Sequence, residues 1–355
     1  MTYTNHENCP SDKSSSSHGP TIAAIDLGTN SCRLLIAKVN GQSFRIVDSF
    51  SRVVRLGEGV QTSALLTQEA IDRTIDALRI CKQKINHSRV SSLRAVATEA
   101  CRMAENRDEL ISRARMELGL HVEVITPEEE ARLALAGCAG ILNSRIPYAI
   151  AFDIGGGSTE VMWLKITEPR RLHRRRYPII DLIDCISLPC GVVTLSDRYN
   201  NQSQDPAIYK EIQDEVAEDL KNFSIKNNIY HHLENRQIQM IGTSGTVTTL
   251  TAMSLGLERY DRKSIDGTFL ESIEAHQLSR QIFQMTKEER SAHCCIGPTR
   301  VDLVVMGMAI LEGILNTWPI PKLRVADRGV REGILMELIK SMNPKKNVQP
   351  KLIRR

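Results

Sequence analysis

Residues 150–166 read IAFDIGGGSTEVMWLKI, and residues 23–39 read AAIDLGTNSCRLLIAKV. In each stretch an apolar run ends at an aspartate, Asp153 or Asp26, a short turn with glycine and serine follows, and a second apolar run begins. Two apolar runs joined by a short polar turn are typical of a β-hairpin. Two copies of one hairpin predict a chain of two related lobes rather than a solenoid, whose repeats would be about 20–50 residues long.

Strand and helix signals alternate along the rest of the chain, which predicts an α/β fold with two sheets. One helix is expected from Thr67 to Ile85, and another begins after Thr126, with Pro127 at its first position. We expect lobe I to comprise residues 21–133 together with about 331–343, and lobe II to comprise residues 134–330. The Ser-rich residues 1–20 and the basic residues 344–355 are expected to be disordered tails.

The composition argues against several classes of protein. A formal net charge of +4 is too small to indicate a dedicated nucleic-acid binder. The sequence has neither a run of about 18–20 apolar residues, as a membrane span needs, nor the apolar region of a secretory signal. Its nine cysteines form no repeated C-x-x-C pairs, which indicates reduced thiols. We therefore expect a cytoplasmic protein that binds neither nucleic acid nor membrane.

Three turns have the composition of phosphate-binding loops. The two hairpin tips and a third turn at residues 242–246 combine glycines, which let backbone N–H groups approach an anion, with hydroxyl side chains that can donate hydrogen bonds. The third turn also precedes a predicted helix, whose N-terminus attracts anions. Glycine serves ordinary turns as well, so the prediction of phosphate binding depends on finding three such turns in one chain.

Carboxylates accompany these turns. Asp153 and Glu160 lie on either side of the second tip and could together hold one Mg²⁺, while Asp26 would face Asp153 across a cleft. The residue that matches Glu160 in the first hairpin is Arg33, so the two copies differ in charge. Glu129 lies between the lobes, although a capping box with Thr126 would also explain it.

These segments resemble the exopolyphosphatase / guanosine pentaphosphate phosphatase (Ppx/GppA) family, which belongs to the actin-like ATPase and sugar kinase superfold (ribonuclease H-like). The resemblance rests on IDLGTNSCRLLI (25–36), VITPEEEARLALAG (124–137), FDIGGGSTEVM (152–162), MIGTSGTVTTL (240–250) and VADRGVREGIL (325–335). It implies two duplicated α/β lobes with a cleft between them, and a homodimer. It also implies release of the terminal phosphate from inorganic polyphosphate, or conversion of guanosine pentaphosphate to the tetraphosphate.

The resemblance further implies roles for single residues. Glu129, the first glutamate of E-E-A-R, would be the catalytic carboxylate that orients and deprotonates water. Asp153, Glu160 and Asp26 would hold Mg²⁺, or alternatively Mn²⁺. The implied phosphate-binding residues are Asn30, Ser31, Arg102, Gly155, Gly156, Gly157, Ser158, Gly242, Ser244, Gly245 and Thr246.

Several features depart from the family pattern or leave alternatives open. Pro127 stands where the family usually has glycine, and we expect the extra C-terminal helical domain of longer members to be absent. The basic run RRLHRRR (170–176) would either contact a polyanion or form a solvated loop. The run from His293 to Cys295 lacks a second ligand pair, so free thiols are favoured over zinc. A kinase or ATPase of the same superfold and a non-catalytic (p)ppGpp sensor are the rival functions.

Overall fold

The computed structural model describes residues 19–168, 179–199 and 202–342, so most of the two predicted tails and the basic run at 170–176 lie outside the described residues. The described strands are β1 Thr21–Leu27, β2 Ser31–Asn40, β3 Ser43–Val53, β4 Ser92–Ala97, β5 Val122–Val124, β6 Tyr148–Ile154, β7 Thr159–Thr167, β8 Ile179–Leu188, β9 Ile238–Thr243, β10 Phe269–Glu271 and β11 Lys322–Ala326.

The described helices follow the same chain order. They are α1 Val60–Ser63, α2 Gln68–His87, α3 Glu99–Met103, α4 Arg107–Leu118, α5 Pro127–Cys138, α6 Val192–Arg198, α7 Pro206–Lys226, α8 Ile229–Glu234, α9 Gly245–Ser254, α10 Arg262–Ile265, α11 Ser272–Gln284, α12 Lys287–Ala292, α13 Leu303–Thr317 and α14 Val330–Met342. A 3₁₀ turn, Ala139–Ile141, extends α5.

The strands form two sheets, and the predicted α/β fold is confirmed. The first sheet has the order β3-β2-β1-β4-β5 and the second has the order β10-β11-β9-β6-β7-β8. Both predicted hairpins are present, because β1 pairs antiparallel with β2 and β6 pairs antiparallel with β7. On its other edge β1 pairs parallel with β4, and β6 pairs parallel with β9. The two lobes therefore repeat the same arrangement of three strands.

Local sequence signals account for several helix ends. The Thr67 hydroxyl accepts a hydrogen bond from the Ala70 amide at the start of α2, as an N-cap does. The Thr126 hydroxyl accepts one from the Glu129 amide at the start of α5, and Pro127 takes the first helical position. α4 ends where Gly119 adopts a left-handed conformation, with φ of 62°.

The two sheets share a central core that explains why β1 and β6 are apolar on both faces. In β1, Ala23 and Ile25 pack in the core of the first lobe, whereas Ile22 and Ala24 pack in a core between the sheets. Ala149 of β6 belongs to that same central core. A strand buried on both faces reads as a continuous apolar run, as both quoted hairpins do.

Helices α5 and α14 form the joint between the sheets. α14 packs on β1 and β2 of the first sheet, α5 packs on β7 and β8 of the second, and the two helices pack against each other. They cross at glycines: a methyl group on Gly137 would overlap the Gly329 carbonyl, and one on Gly333 would overlap the Leu133 carbonyl. The lobe boundary expected after residue 133 falls inside α5.

Across the described ranges, none of the helices combines the length and the apolar character that a membrane crossing requires.

Candidate functional site

The two hairpin tips touch each other. A methyl group on Gly156 would lie 3.1 Å from Thr29 Cβ and 3.2 Å from the Asn30 backbone nitrogen. A methyl group on Gly157 would lie 2.5 Å from Thr29 Oγ1 and 2.7 Å from Glu99 Cγ. The second tip therefore needs glycine because the first tip packs directly against it, and the two turns form one continuous surface at the junction of the lobes.

The third turn begins beside Asp153. Thr243, the last residue of β9, pairs in register with Asp153 of β6. Ser244 follows with φ of 147°, a value that side-chain-bearing residues rarely adopt, and its hydroxyl accepts a hydrogen bond from the Val247 amide. α9 starts immediately afterwards, so its N-terminal amide groups lie next to the second tip. This geometry suits an anion held between the turns.

Four carboxylates are electrostatic neighbours in this region. Burial raises the pKa of Asp153 to about 7, with repulsion by Glu160 as the second cause. Burial also raises the pKa of Asp26, although Arg33 and Arg331 offset part of that rise. The Glu160 carboxylate is almost fully buried, and its pKa too is raised by burial.

Two serines hold Glu160 in one orientation. Its Oε1 accepts a 2.5 Å hydrogen bond from Ser158 Oγ and a 3.1 Å hydrogen bond from Ser187 Oγ. Ser158 is therefore committed to Glu160 in this structure. Because Glu160 pairs in register with Asp153, the two side chains lie on the same face of the hairpin.

Glu130 is the fourth carboxylate. Arg102 Nη1 donates to Glu130 Oε2 at 2.7 Å and to the Ile125 carbonyl at 3.0 Å, while Arg102 Nε donates to Glu99 at 2.8 Å. Burial and repulsion by Glu160 raise the pKa of Glu130 well above its ordinary value, against the opposing pull of Arg102. Glu130 thus joins the carboxylate cluster, and Arg102 fixes its position.

Glu129, the expected catalytic residue, has different neighbours. Its carboxylate accepts hydrogen bonds from Arg132 Nε at 2.7 Å and from Arg94 Nη2 at 3.0 Å. Arg132 and Arg94 lower the pKa of Glu129, and both arginines also pair with Glu337 of α14. The Glu129 side chain is 26% exposed and that of Glu130 is 13% exposed. Glu129 is therefore part of an ion-pair network on the joint helices, and Glu130 is the glutamate that interacts with Asp26 and Glu160.

Arginines that the sequence analysis did not select supply positive charge to the same region. Arg33 lowers the pKa values of Asp26, Asp153, Arg300 and Arg331, so its guanidinium is a neighbour of all four groups. Arg300 Nη1 donates to Thr249 of α9 at 3.3 Å. Arg33, Arg300 and Arg331 come from distant parts of the chain. The only sequence signal for any of them was that Arg33 occupies the position that matches Glu160 in the second hairpin.

Some of the remaining predicted phosphate-binding residues lie in a turn, and others are packed against neighbouring strands or helices. In the first tip, Ser31 is buried, and Asn30 carries a buried side-chain oxygen that has no hydrogen-bond partner among the described residues. In the third turn, Gly245 lies beside the Arg300 guanidinium. Gly242, in contrast, lies within β9, packed against Phe152, and the Thr246 side chain packs against Gly307. Phosphate binding at these two positions would therefore use backbone groups, and it stays a prediction.

The charge of Asp153, Glu160 and Asp26 suits a magnesium ion, although the three carboxylates do not form a complete set of ligands. Burial raises the pKa values of Asp153 and Glu160, and repulsion by Glu160 adds to the rise at Asp153, so a divalent cation would relieve this repulsion. Their oxygens are not gathered with that of Asp26 into a preformed three-ligand cluster within the described residues. Mg²⁺ prefers few carboxylates with several waters and phosphate oxygens. One or two of these side chains would therefore suffice.

The chain is similar over about nine tenths of its length to proteins of known family. It is 29% identical over 334 residues to exopolyphosphatase 2 of Mycobacterium tuberculosis, covering 89% of this chain and 98% of that protein. It is 26% identical over 330 residues to guanosine-5'-triphosphate,3'-diphosphate pyrophosphatase of Aeromonas hydrophila, covering 91% of this chain and 60% of that longer protein. The crystal structure of the Aquifex aeolicus Ppx/GppA family member superposes with a TM-score of 0.72 at 28% identity, covering 91% of this chain and 99% of that one.

A family profile gives the same result over most of the sequence. Residues 35–342 match the Ppx/GppA phosphatase family. The matched region contains the second sheet, the first sheet apart from β1 and the start of β2, the second and third turns, and the joint helices. The resemblance recognised from the sequence is confirmed, and this chain belongs to the Ppx/GppA phosphatase family.

Proposed function

We propose that the chain is an exopolyphosphatase that hydrolyses the terminal phosphoanhydride of inorganic polyphosphate and releases orthophosphate. One observation carries the proposal. Arg102 holds the Glu130 carboxylate beside the carboxylates of Asp26 and Glu160, where the glycine-bearing turns of the two hairpins meet. The kinship with exopolyphosphatase 2 of Mycobacterium tuberculosis supports the choice of substrate.

The proposed chemistry needs no covalent intermediate, because a water molecule attacks the terminal phosphorus directly. Glu130 orients that water and accepts its proton, and its raised pKa makes it a stronger base than an exposed glutamate. Arg102 keeps the Glu130 carboxylate in place through the 2.7 Å hydrogen bond. We therefore assign to Glu130 the role that the family motif suggested for Glu129.

The turns and the arginines would bind the substrate. Backbone amides at the start of α9 and in the two tips, apart from those of Gly28, Gly155 and Val247 that bond within their own turns, would donate to phosphate oxygens. Arg33, Arg300 and Arg331 add charge that a polyanion would neutralise. Phosphate contacts by Asn30, Ser31, Gly155, Gly156, Gly157, Ser158, Gly242, Ser244, Gly245, Thr246 and Arg102 remain predictions. In support, Arg102 bonds to Glu99, which lies beside Gly157, and the other residues lie in the three turns or flank them.

We further propose that Asp153 and Glu160, with Asp26 nearby, hold Mg²⁺ or Mn²⁺. Such an ion supplies charge neutralisation on the nonbridging oxygens of the reacting phosphate. The support is the group of neighbouring carboxylates with raised pKa values. Activity that persists in full after exhaustive chelation would contradict this part of the proposal.

The decisive experiment compares two adjacent glutamates. Phosphate release is measured with Mg²⁺ on short polyphosphate, long polyphosphate, guanosine pentaphosphate and ATP, for the unmodified protein, Glu130→Gln and Glu129→Gln. We expect Glu130→Gln to lose roughly 10²–10⁴-fold in kcat, the usual contribution of a general base. Glu129→Gln is the matched control and should stay within a few-fold of the unmodified enzyme. Thermal unfolding of both variants controls for folding.

Each substrate tests a different function. Release from polyphosphate with the expected difference between the two glutamates supports an exopolyphosphatase. Release from guanosine pentaphosphate alone would favour the alternative that the Aeromonas hydrophila relative suggests, and preference for ATP would favour an ATPase. Binding of guanosine nucleotides without phosphate release would favour a sensor. Full activity in Glu130→Gln together with an inactive Glu129→Gln would overturn the assignment of the base.

We also propose that the protein works in the cytoplasm as a homodimer. All eight cysteines of the described ranges are free thiols, as a reducing compartment favours. The homodimer is an expectation from the family resemblance. Light scattering at micromolar concentration tests it, and a monomer there would exclude it.

A further inference from the structure

A cluster of metal-binding side chains lies outside the cleft, in the loop that joins α12 to α13. His293, Cys294 and Cys295 bring one imidazole nitrogen and two sulfurs within 4.8 Å of one another. Cys294 is exposed, His293 is half-buried and Cys295 is buried, so the group opens to solvent on one side. Thiolate and imidazole are the ligands that zinc and related thiophilic cations prefer.

A fourth polar atom comes from a distant segment. The Leu257 carbonyl oxygen, just beyond the end of α9, accepts a hydrogen bond from both thiols. It lies 3.4 Å from Cys294 Sγ and 3.3 Å from Cys295 Sγ, and the two sulfurs are 3.7 Å apart. Two sulfurs and one oxygen therefore form a compact triangle.

This triangle has nearly the dimensions of one face of a tetrahedral zinc site. With Zn–S bonds of about 2.3 Å and a Zn–O bond of about 2.1 Å, tetrahedral angles separate two sulfurs by about 3.8 Å and a sulfur from an oxygen by about 3.6 Å. The observed separations are within a few tenths of an ångström of these values. Binding would thus require little movement of the three atoms.

We propose that His293, Cys294 and Cys295 bind one thiophilic divalent cation of the zinc class, with the Leu257 carbonyl as the fourth ligand. Both thiols release their protons to solvent, so two thiolates balance the two positive charges of the cation. The His293 ring gives up the 3.2 Å hydrogen bond that its Nδ1 accepts from the Cys295 amide. A neutral complex of this kind suits a partly buried position.

The cation would join two segments that frame the third turn. Leu257 follows α9, and the loop that carries the cysteines continues to Arg300, which donates to Thr249 of α9. A bound cation would therefore fix this loop against α9 and hold Arg300 beside Gly245. The proposed site is structural, and it does not depend on the proposed function.

Cobalt is a direct probe, because Co²⁺ occupies tetrahedral thiolate sites and gives a thiolate-to-metal absorption band that carboxylate sites lack. The reduced full-length protein is titrated with Co²⁺ in a phosphine reductant and excess Mg²⁺, which occupies the carboxylate cleft. We expect saturation at about one Co²⁺ per chain, displacement by Zn²⁺, and a rise in melting temperature. Cys294→Ala and Cys295→Ala should each lose the band, and Cys185→Ala, a partly exposed thiol elsewhere, should retain it.

Three results would overturn the proposal. The first is the absence of a thiolate band in the reduced protein, and the second is a band that survives in both Cys294→Ala and Cys295→Ala. The third is that thiol counting and mass spectrometry find Cys294 and Cys295 joined as a disulfide whose reduction restores no cobalt binding. Cys294 is exposed, so its replacement by alanine should leave the fold intact, and circular dichroism checks this.

Discussion

The two hairpin tips share one backbone arrangement but differ in charge. Asp26 pairs in register with Arg33 in the first tip, and Asp153 pairs in register with Glu160 in the second. Arg33 therefore offsets part of the rise in the pKa of Asp26, whereas Glu160 adds to the rise in the pKa of Asp153. In the first tip the positive side chain of Arg33 stands opposite Asp26. In the second tip two carboxylates, those of Asp153 and Glu160, stand opposite each other, and a cation from solution could neutralise their charge.

The comparison leads us to propose different roles for the two copies of one scaffold. Both tips place an aspartate at the end of a central strand, beside a parallel strand that leads into a helix. The exchange of arginine for glutamate at one matching position then separates them. In this proposal both tips contact phosphate and the metal is held mainly by the second tip, and four variants or conditions test the difference between the tips.

The largest expected effect concerns the stability of the metal-free protein. The pKa of Asp153 is about 7 in the folded chain against an ordinary value of 3.8. The folded state therefore holds this proton over a range in which the unfolded chain has released it. Its stability falls as pH rises from about 4 to about 7, by up to about 4 kcal/mol. Urea unfolding in chelator at pH 5 and pH 7.5 should show a smaller fall in Asp153→Asn. Equal falls in both proteins would contradict the assignment.

The next effect is on activity. Glu160→Gln removes one negative charge from the second tip, so we expect a loss of roughly 10²-fold in kcat/KM and a higher Mg²⁺ concentration for half-maximal rate. Asp181→Asn, at an exposed position on β8, is the control and should change neither value. The metal assignment fails if Glu160→Gln keeps the Mg²⁺ dependence of the unmodified enzyme.

Packing between the tips predicts a third difference. A methyl group on Gly157 would lie 2.5 Å from Thr29 Oγ1, whereas one on Gly28 would meet its nearest atom, the Ser31 carbonyl oxygen, at 3.7 Å. Gly157→Ala should therefore destabilise the protein by about 1–3 kcal/mol, as overpacking does. Gly28→Ala should cost less, and chemical denaturation measures both. A reversed order would show that the tips do not pack as described.

The smallest expected effect concerns substrate binding by the first tip. Arg33→Gln would remove the proposed charge-assisted contact to phosphate, so we expect KM for polyphosphate to rise about tenfold, with kcat within a few-fold. The KM of the variant should also depend less on salt concentration than that of the unmodified protein. Arg45→Gln, at an exposed position on β3, is the control. A fall in kcat at unchanged KM would place Arg33 in the chemical step instead.

The sequence carried enough information for the hairpins and the family, because strand periodicity and glycine-bearing turns are local. The sequence pattern pointed to Glu129 as the catalytic glutamate, whereas we propose Glu130 from its contacts. Glu129 and Glu130 are adjacent on one helix and differ only in the face they occupy, and that face depends on how α5 packs on β7 and β8. The capping position of Glu129, which the structure shows through its amide bond to Thr126, gave no information about the side chain.

Long-range contacts add what local patterns could not show. Gly242, predicted to bind phosphate, lies in β9 with Phe152 of the neighbouring strand beside it. The sequence disfavoured a metal at the cysteine pair because a second ligand pair was missing. In the site that we propose, the Leu257 carbonyl would take the place of that pair, and a side-chain motif cannot reveal a backbone ligand.

The glycine crossing of α5 and α14 has a consequence for how the cleft can vary. Because each helix is fixed to a different sheet, the separation of the sheets depends on how closely the two helix backbones approach. At Gly137 and Gly333 no side chain lies between the two backbones, so no flexible side chain can adjust their distance. The two glycines thus allow the shortest possible distance between the helices. A larger residue at either position would push the two helices, and with them the two sheets, apart. The cleft between the lobes would then widen although none of the residues that line it had been changed.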